Sequence, residues 1–173
     1  MSLRDNLRPL LVVLCLAPHL AFADTAVLGY WAGDDSILHI TDQGGQLSAR
    51  VAALGSPTYE AGEDFGPVGT ARRDDNNPDD ALKGRPVLGL ELLEDYRYNG
   101  TRWEGKIYDP ASGNTYSSRM RVDADELKMR GYIGVPMLGR TATFTAVSVC
   151  SEHVRDLLAK SDLKYDAACN IAP

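Results

Sequence analysis

The chain has 173 residues, with 18 Lys+Arg against 24 Asp+Glu and a formal charge of −6. Its basic residues are scattered, so the clustered cations that track phosphates are missing and nucleic acid is not an expected partner. The length suits one domain with a single core once an N-terminal leader is set aside.

Residues 1–23 read as a cleavable secretory signal. Arg4 and Arg8 give a positive start, residues 10–17 form an apolar core, and Ala21-Phe22-Ala23 supplies a small-x-small site before Asp24. The apolar run is far short of the ~20 residues a membrane span needs, and no later segment approaches that length. An uncleaved anchor is the alternative; Cys15 is poorly placed for a lipid anchor because Leu14 precedes it. Cleavage after Ala23 removes two basic residues and one acid, leaving 16 against 23 and a mature charge of −7. The expected location is periplasmic or secreted. Cys15 would leave with the signal, so Cys150 and Cys169 remain as an even pair in an oxidising compartment. A disulfide between them is expected over two free thiols, and a zinc site is poorer still because only His39 and His153 could join them.

The rest of the chain shows short alternating runs broken by turn residues, the pattern of antiparallel β structure. Strands are expected over 27–32, 37–41 and 46–54, with a turn at Asp42-Gln43-Gly44-Gly45 between the last two. Residues 55–86 sustain no period and read as a surface excursion. Within it, Asn77-Pro78-Asp79-Asp80 has the order of a helix start, so a short helical turn over Ala81 and Leu82 is expected. Strands resume over 87–93, 102–108, 115–122, 127–133 and 141–149. Leu88, Leu90 and Leu92 would share one face of the first of these. Eight strands with local connections suggest a meander that can close into a barrel, with a β-sandwich as the alternative. Val154, Leu157 and Leu158 recur at helical spacing, so an amphipathic helix is expected over 151–160. The domain division is therefore 1–23 signal, 24–149 barrel and 150–173 helical tail.

Several ordered clusters resemble the bacterial exported family known as domain of unknown function 2147, which is lipocalin-like. They are Gly29-Tyr30-Trp31, Asp75-Asn76-Asn77-Pro78 and Arg85-Pro86-Val87-Leu88-Gly89-Leu90. The longest is Trp103-Glu104-Gly105-Lys106-Ile107-Tyr108-Asp109-Pro110, continued by Ser112-Gly113-Asn114-Thr115-Tyr116. Leu127-Lys128-Met129-Arg130-Gly131-Tyr132-Ile133-Gly134 and Leu138-Gly139-Arg140-Thr141 complete the set. The resemblance implies an antiparallel lipocalin-like barrel of about eight strands, here with a short C-terminal helix. Two departures stand out. Family members tend to end the last strand with Trp and Arg, where this chain has Phe144 and Ala146. In lipocalin-like barrels an Arg of the last strand commonly packs over the Trp of Gly-x-Trp, and Arg140 is a candidate stand-in. The tail with Cys150 and Cys169 looks like an addition.

The residues suggest no catalytic constellation. Neither His39 nor His153 neighbours a nucleophile-elbow Ser, and the Gly-rich stretches lack a phosphate-loop ending. Asp74, Asp75, Asp79 and Asp80 lack EF-hand spacing and read as capping plus a solvated loop. The face bearing Tyr108, Arg119, Arg130 and Tyr132 offers a candidate ligand site together with Trp103. If it points inward, aromatic surface and cations converge on an acidic amphiphile; if outward, they are ordinary surface residues. Trp31 and Trp103 equally read as core packing. The expected function is a non-enzymatic module that binds a small apolar or amphiphilic ligand in the barrel, without metal or cofactor. The rival is a packed barrel acting on an envelope protein partner through its outside. An enzyme built on Asp75, Asn77 and Asp109 would need those groups to converge around a cleft.

Overall fold

In the computed structural model, residues 24–172 are described; the expected signal segment lies outside them. Eight antiparallel strands close into a barrel in simple chain order. They are β1 (Gly29–Ala32), β2 (Ser36–Asp42), β3 (Gln46–Leu54), β4 (Leu93–Tyr98), β5 (Trp103–Asp109), β6 (Asn114–Asp123), β7 (Glu126–Tyr132) and β8 (Arg140–Ala146). A meander of this size removes its edge strands by closure, so every strand has a neighbour on both sides.

Residues directly opposite one another in paired strands share a face, so register fixes which side chains point inward. Trp31 pairs with Leu38, Trp103 with Met120, Met120 with Met129, and Met129 with Ala142. The inner face is thus the one carrying Trp103, Gly105 and Ile107 on β5 and Leu127, Met129 and Gly131 on β7. At one end this interior is solid. Val27, Trp31, Ile40, Leu47, Tyr96, Trp103, Met120 and Leu127 are all buried in one cluster. The Trp31 indole donates to the Val27 carbonyl and the Trp103 indole to that of Asp24, each at 2.9 Å, so the N-terminal 3-10 turn Thr25–Val27 plugs this end. Gly105 lets Tyr96 cross the barrel: a Cβ there would lie 2.7 Å from the Tyr96 ring. The Tyr96 hydroxyl then reaches Ser118 Oγ at 2.8 Å, and burial pushes the phenol far above its ordinary value.

The β4 region departs from the expected strand over 87–93. Residues 87–92 instead form an irregular stitch between β3 and β5, kinked at Gly89 with φ +83°. Val51 donates to Leu90, Gly89 to Val51, Leu92 to Ala49 and Tyr108 to Leu92. Leu88 is left exposed while Leu90 and Leu92 are buried, so the expected shared face is not kept. The Glu91 carboxylate fills a gap in the ladder, accepting from the Ala49 amide at 2.7 Å and from the Ser48 hydroxyl. The regular strand begins at Leu93, where the polar run Glu94-Asp95 concealed it. Asp95 takes a left-handed φ of 53° in a bulge between Glu94 and Arg97.

Beyond β8 a 3-10 turn (Val147–Val149) replaces the end of the expected strand, and the helix α1 (Glu152–Ala159) follows. Ser151 caps it by accepting from the Val154 amide. Val154, Leu157 and Leu158 pack with Ala32, Ile37, Ala53 and Val147 on the outside of the barrel. Cys150 and Cys169 are joined in a disulfide that holds the tail after α1. Among the described residues no helix is long and apolar enough to cross a membrane.

Candidate binding cavity

The two ends of the barrel differ because their connections differ. The plugged end has tight turns at 43–45, 99–102 and 124–125. The other end carries the 33–35 turn, the 55–86 excursion, the 110–113 turn and the 133–139 loop. Between the excursion and the 133–139 loop the interior opens as a cavity of about 1360 Å³. Its walls are Leu38, Val51, Leu92, Ile107, Met129 and Phe144, with Gly131 and Ala142 contributing almost no side-chain volume. Arg72, Arg73, Asp75, Asp109 and Arg140 line the cavity too, so polar groups surround the apolar walls.

Most of those polar groups are already committed. Arg72 is paired with Glu63 at 3.0 Å and donates to the Ser56 carbonyl; Arg73 donates to Gly84. Asp75 accepts from the Tyr59 hydroxyl, and Asp109 accepts from the Ala111 amide and the Ser112 hydroxyl within its own turn. Arg140 pairs in register with Gly131, which puts it on the inner face at the rim. It makes no side-chain hydrogen bond or ion pair among the described residues.

The excursion is held to the barrel by a buried carboxylate. Asp74 is fully buried and accepts from the Tyr108 hydroxyl at 2.6 Å, Asn77 Nδ2 at 2.8 Å and Arg85 Nε at 2.9 Å, with Arg85 Nη2 at 2.8 Å. Both carboxylate oxygens are engaged, and the Arg85 charge offsets the buried one. Burial and the hydrogen bond to Asp74 push the Tyr108 phenol up to about 12. Beside it, Gly113 at φ +70° lets the 110–113 turn touch the excursion, since a Cβ there would fall 1.8 Å from the Asn76 carbonyl. Asp74 therefore corrects the expectation of a solvated acidic loop. Besides Asn77, its partners Arg85 and Tyr108 lie 11 and 34 residues away, which no local pattern reveals. Asn77 does cap as expected, accepting from the Asp79 amide, and hydrogen-bonded turns rather than a helix follow over 79–85.

The five sequence candidates are not brought together. Tyr108 and Tyr132 line the cavity, and the Tyr108 hydroxyl is taken up by the Asp74 cluster. Trp103 is buried in the plugged end. Arg119 and Arg130 pair with each other across β6 and β7 on the face opposite Met120 and Met129, so they sit outside the barrel. Arg130 spends its guanidinium on the carbonyls of Pro136 and Met137 and on the Thr141 hydroxyl. The cavity residues the sequence left unassigned are Ile107, Tyr116, Met129 and Phe144. Ile107, Tyr116 and Met129 lie on the strands of Tyr108, Arg119 and Arg130 with the opposite parity, and Phe144 lies on β8. Arg140 is also not a stand-in over Trp31: Ala146 pairs with Trp31, and Arg140 lies six residues along β8, ~20 Å away at strand rise. The Trp31 indole takes the Val27 carbonyl instead.

Of the groups an enzyme reading would need, Asp75 and Asp109 reach the cavity, while Asn77 is buried against Asp74 and Tyr108. His39 stacks on Tyr30 with ring centroids 4.0 Å apart, and burial lowers its pKa. His153 Nε2 lies 2.8 Å from the Gly33 carbonyl. Among the described residues no three His, Cys, Asp or Glu side chains gather as a metal site.

No protein of curated function matches the chain. Among solved structures, HP1028 of the human pathogen Helicobacter pylori, described as belonging to the lipocalin family, superposes with a TM-score of 0.57. The two share 20% identity over 76% of this chain and 88% of that one, a likeness of fold. A family model described as an uncharacterized protein conserved in bacteria, domain of unknown function 2147, matches residues 29–146, from the first strand to the last. The chain belongs to the domain of unknown function 2147 family and has a lipocalin-like barrel.

Proposed function

We propose that this protein is a non-enzymatic binding module, exported after cleavage following Ala23, that holds a small apolar or amphiphilic molecule in its barrel. The observation that carries the reading is the cavity of about 1360 Å³, whose inner walls are aliphatic and aromatic. A barrel with eight strands can be filled by its own side chains or can hold a ligand. Here Gly131 and Ala142 stand where larger side chains would have filled it. Apolar walls with a few polar groups are the usual chemistry of a small-molecule site. An amphiphile would place its apolar body against Ile107, Met129 and Phe144 and its polar head at the rim. Arg140, with no partner there, favours an acidic head. The cavity counts against the rival packed barrel, whose interior would be full.

Native mass spectrometry of protein exported through its own signal tests this, compared with the denatured, unreduced sample. The expected result is a mass starting at Asp24, two protons lighter for the bridge, with an added mass present only in the native spectrum. A bare native spectrum, together with no fluorescence gain from an apolar dye such as anilinonaphthalene sulfonate, would overturn the binding reading.

A further inference from the structure

The loop between β7 and β8 carries an unusual surface. Ile133 is 76% exposed, Val135 53%, Met137 89% and Leu138 82%, four large apolar side chains within six positions. Single exposed apolar residues are ordinary, but a contiguous group marks an interaction surface. The loop is also fixed in shape. Arg130 donates to the Pro136 carbonyl at 2.8 Å and the Met137 carbonyl at 3.1 Å, and Pro136–Leu138 form a 3-10 turn. Gly139 packs so closely that a Cβ would lie 2.4 Å from the Gly131 carbonyl. The apolar side chains are therefore held out to solvent by a pinned backbone, and little ordering would be lost on docking.

Charge identifies what would cover them. Residues 127–149 contain Lys128, Arg130 and Arg140 and no acid, in a chain of formal charge −6. Arg119 pairs with Arg130 and Arg121 with Lys128, which places four cations on the outer face of β6 and β7 below the loop. Of the acids on this face, Asp123 and Glu126 meet Lys128 at the opposite end of the strands and Glu104 lies beside Arg119 while bonded to Arg102, so four cations face three acids. An apolar tip over a cationic shank suits a bilayer surface, where apolar side chains enter the interface and cations meet anionic headgroups. Phe65, 58% exposed, lines the same cavity as Ile133 and Leu138.

We propose that the 133–139 loop inserts into the interface of an anionic phospholipid bilayer and sets the cavity mouth on the lipid surface. This rests on the loop and its charges, not on what the cavity holds. The test is flotation with vesicles of phosphatidylethanolamine and phosphatidylglycerol, and with vesicles of phosphatidylcholine alone. Variants are compared with the same N-terminus, so that any contribution of residues 1–23 cancels. The protein should float with the anionic vesicles, less so as salt rises. M137S/L138S, altered at two exposed positions, should keep its circular dichroism and lose at least ~tenfold in partitioning. The cavity-filling variant Ala142→Trp should float as the parent does, which separates this inference from the binding reading. Failure to float on anionic vesicles at low salt, or equal flotation of M137S/L138S, overturns the proposal. So does a parent that is dimeric in sedimentation and fails to float while M137S/L138S is monomeric, since the loop would then cover a second copy.

Discussion

The two ends of this barrel are built from the same strands and yet do opposite things. At the plugged end, short turns bring the strands together and large side chains cross the interior, with Trp31, Trp103 and Tyr96 each ending on a hydrogen bond. At the open end, long connections splay apart, and glycine and alanine stand where the plugged end has aromatics. Packed core and open cavity are thus divided along the strands: β5 runs from Trp103 in the core to Tyr108 at the cavity, and β7 from Leu127 to Gly131. A half packed with large side chains sits beside a half that leaves space unfilled.

The sharpest way to break this contrast is to hollow the plugged end. Trp103→Ala should lose ~3–5 kcal/mol, read as a lowered guanidinium midpoint. If the loss were within experimental error, the plugged end would not be the stabilising half. Replacing both Cys150 and Cys169 with Ser removes a loop constraint worth ~3 kcal/mol in the chain-entropy model, visible as a Tm lowered relative to the parent measured without reductant. Asp74→Asn keeps the shape but removes the buried charge that three side chains share, at a cost of roughly 2 kcal/mol.

The same cluster sets a pH limit. Tyr108 has its phenol raised to about 12 in the fold, so its contribution is complete below the ordinary value near 10.0 and is lost as pH rises through about 12. An alkaline unfolding titration should show that limb weakened in Tyr108→Phe, although Tyr59 and Tyr96, also raised, will keep part of it. The smallest expected effect belongs to the open end. Ala142→Leu should change stability by less than ~1.5 kcal/mol while reducing binding of an apolar dye, measured by titration. A large destabilisation there would mean that the open end is as tightly packed as the plugged one.

Strands with clean alternation were legible in the sequence. Leu47, Ala49 and Val51 on β3 and Leu127 and Met129 on β7 mark buried positions that the structure keeps. The C-terminal helix was legible from the spacing of Val154, Leu157 and Leu158. The 87–98 region was not, because a kink at Gly89 and a bulge at Asp95 break the two-residue period that strand reading depends on. The cavity residues were hidden for another reason: β5 carries Trp103 and Ile107 on one face and Tyr108 on the other. Parity cannot rank two faces that both carry aromatic surface. Asp74 was invisible because its burial depends on Arg85 and Tyr108, 11 and 34 residues away.

The ring is not equally strong all the way round. Between β1 and β8 only Trp31–Ala146 and Ala32–Thr145 are in register, and between β3 and β4 only Gln46–Arg97 and Leu47–Tyr96. The barrel is in effect two stiff shells, β1–β3 and β4–β8, joined along two short hinges. One hinge is backed by the tail, through α1 against Ala32 and His153 against Gly33; the other by the Glu91 carboxylate on β3. In amide exchange, breathing should therefore start as a parting of shells, with the Thr145 and Gln46 regions exchanging well before the centre of β6.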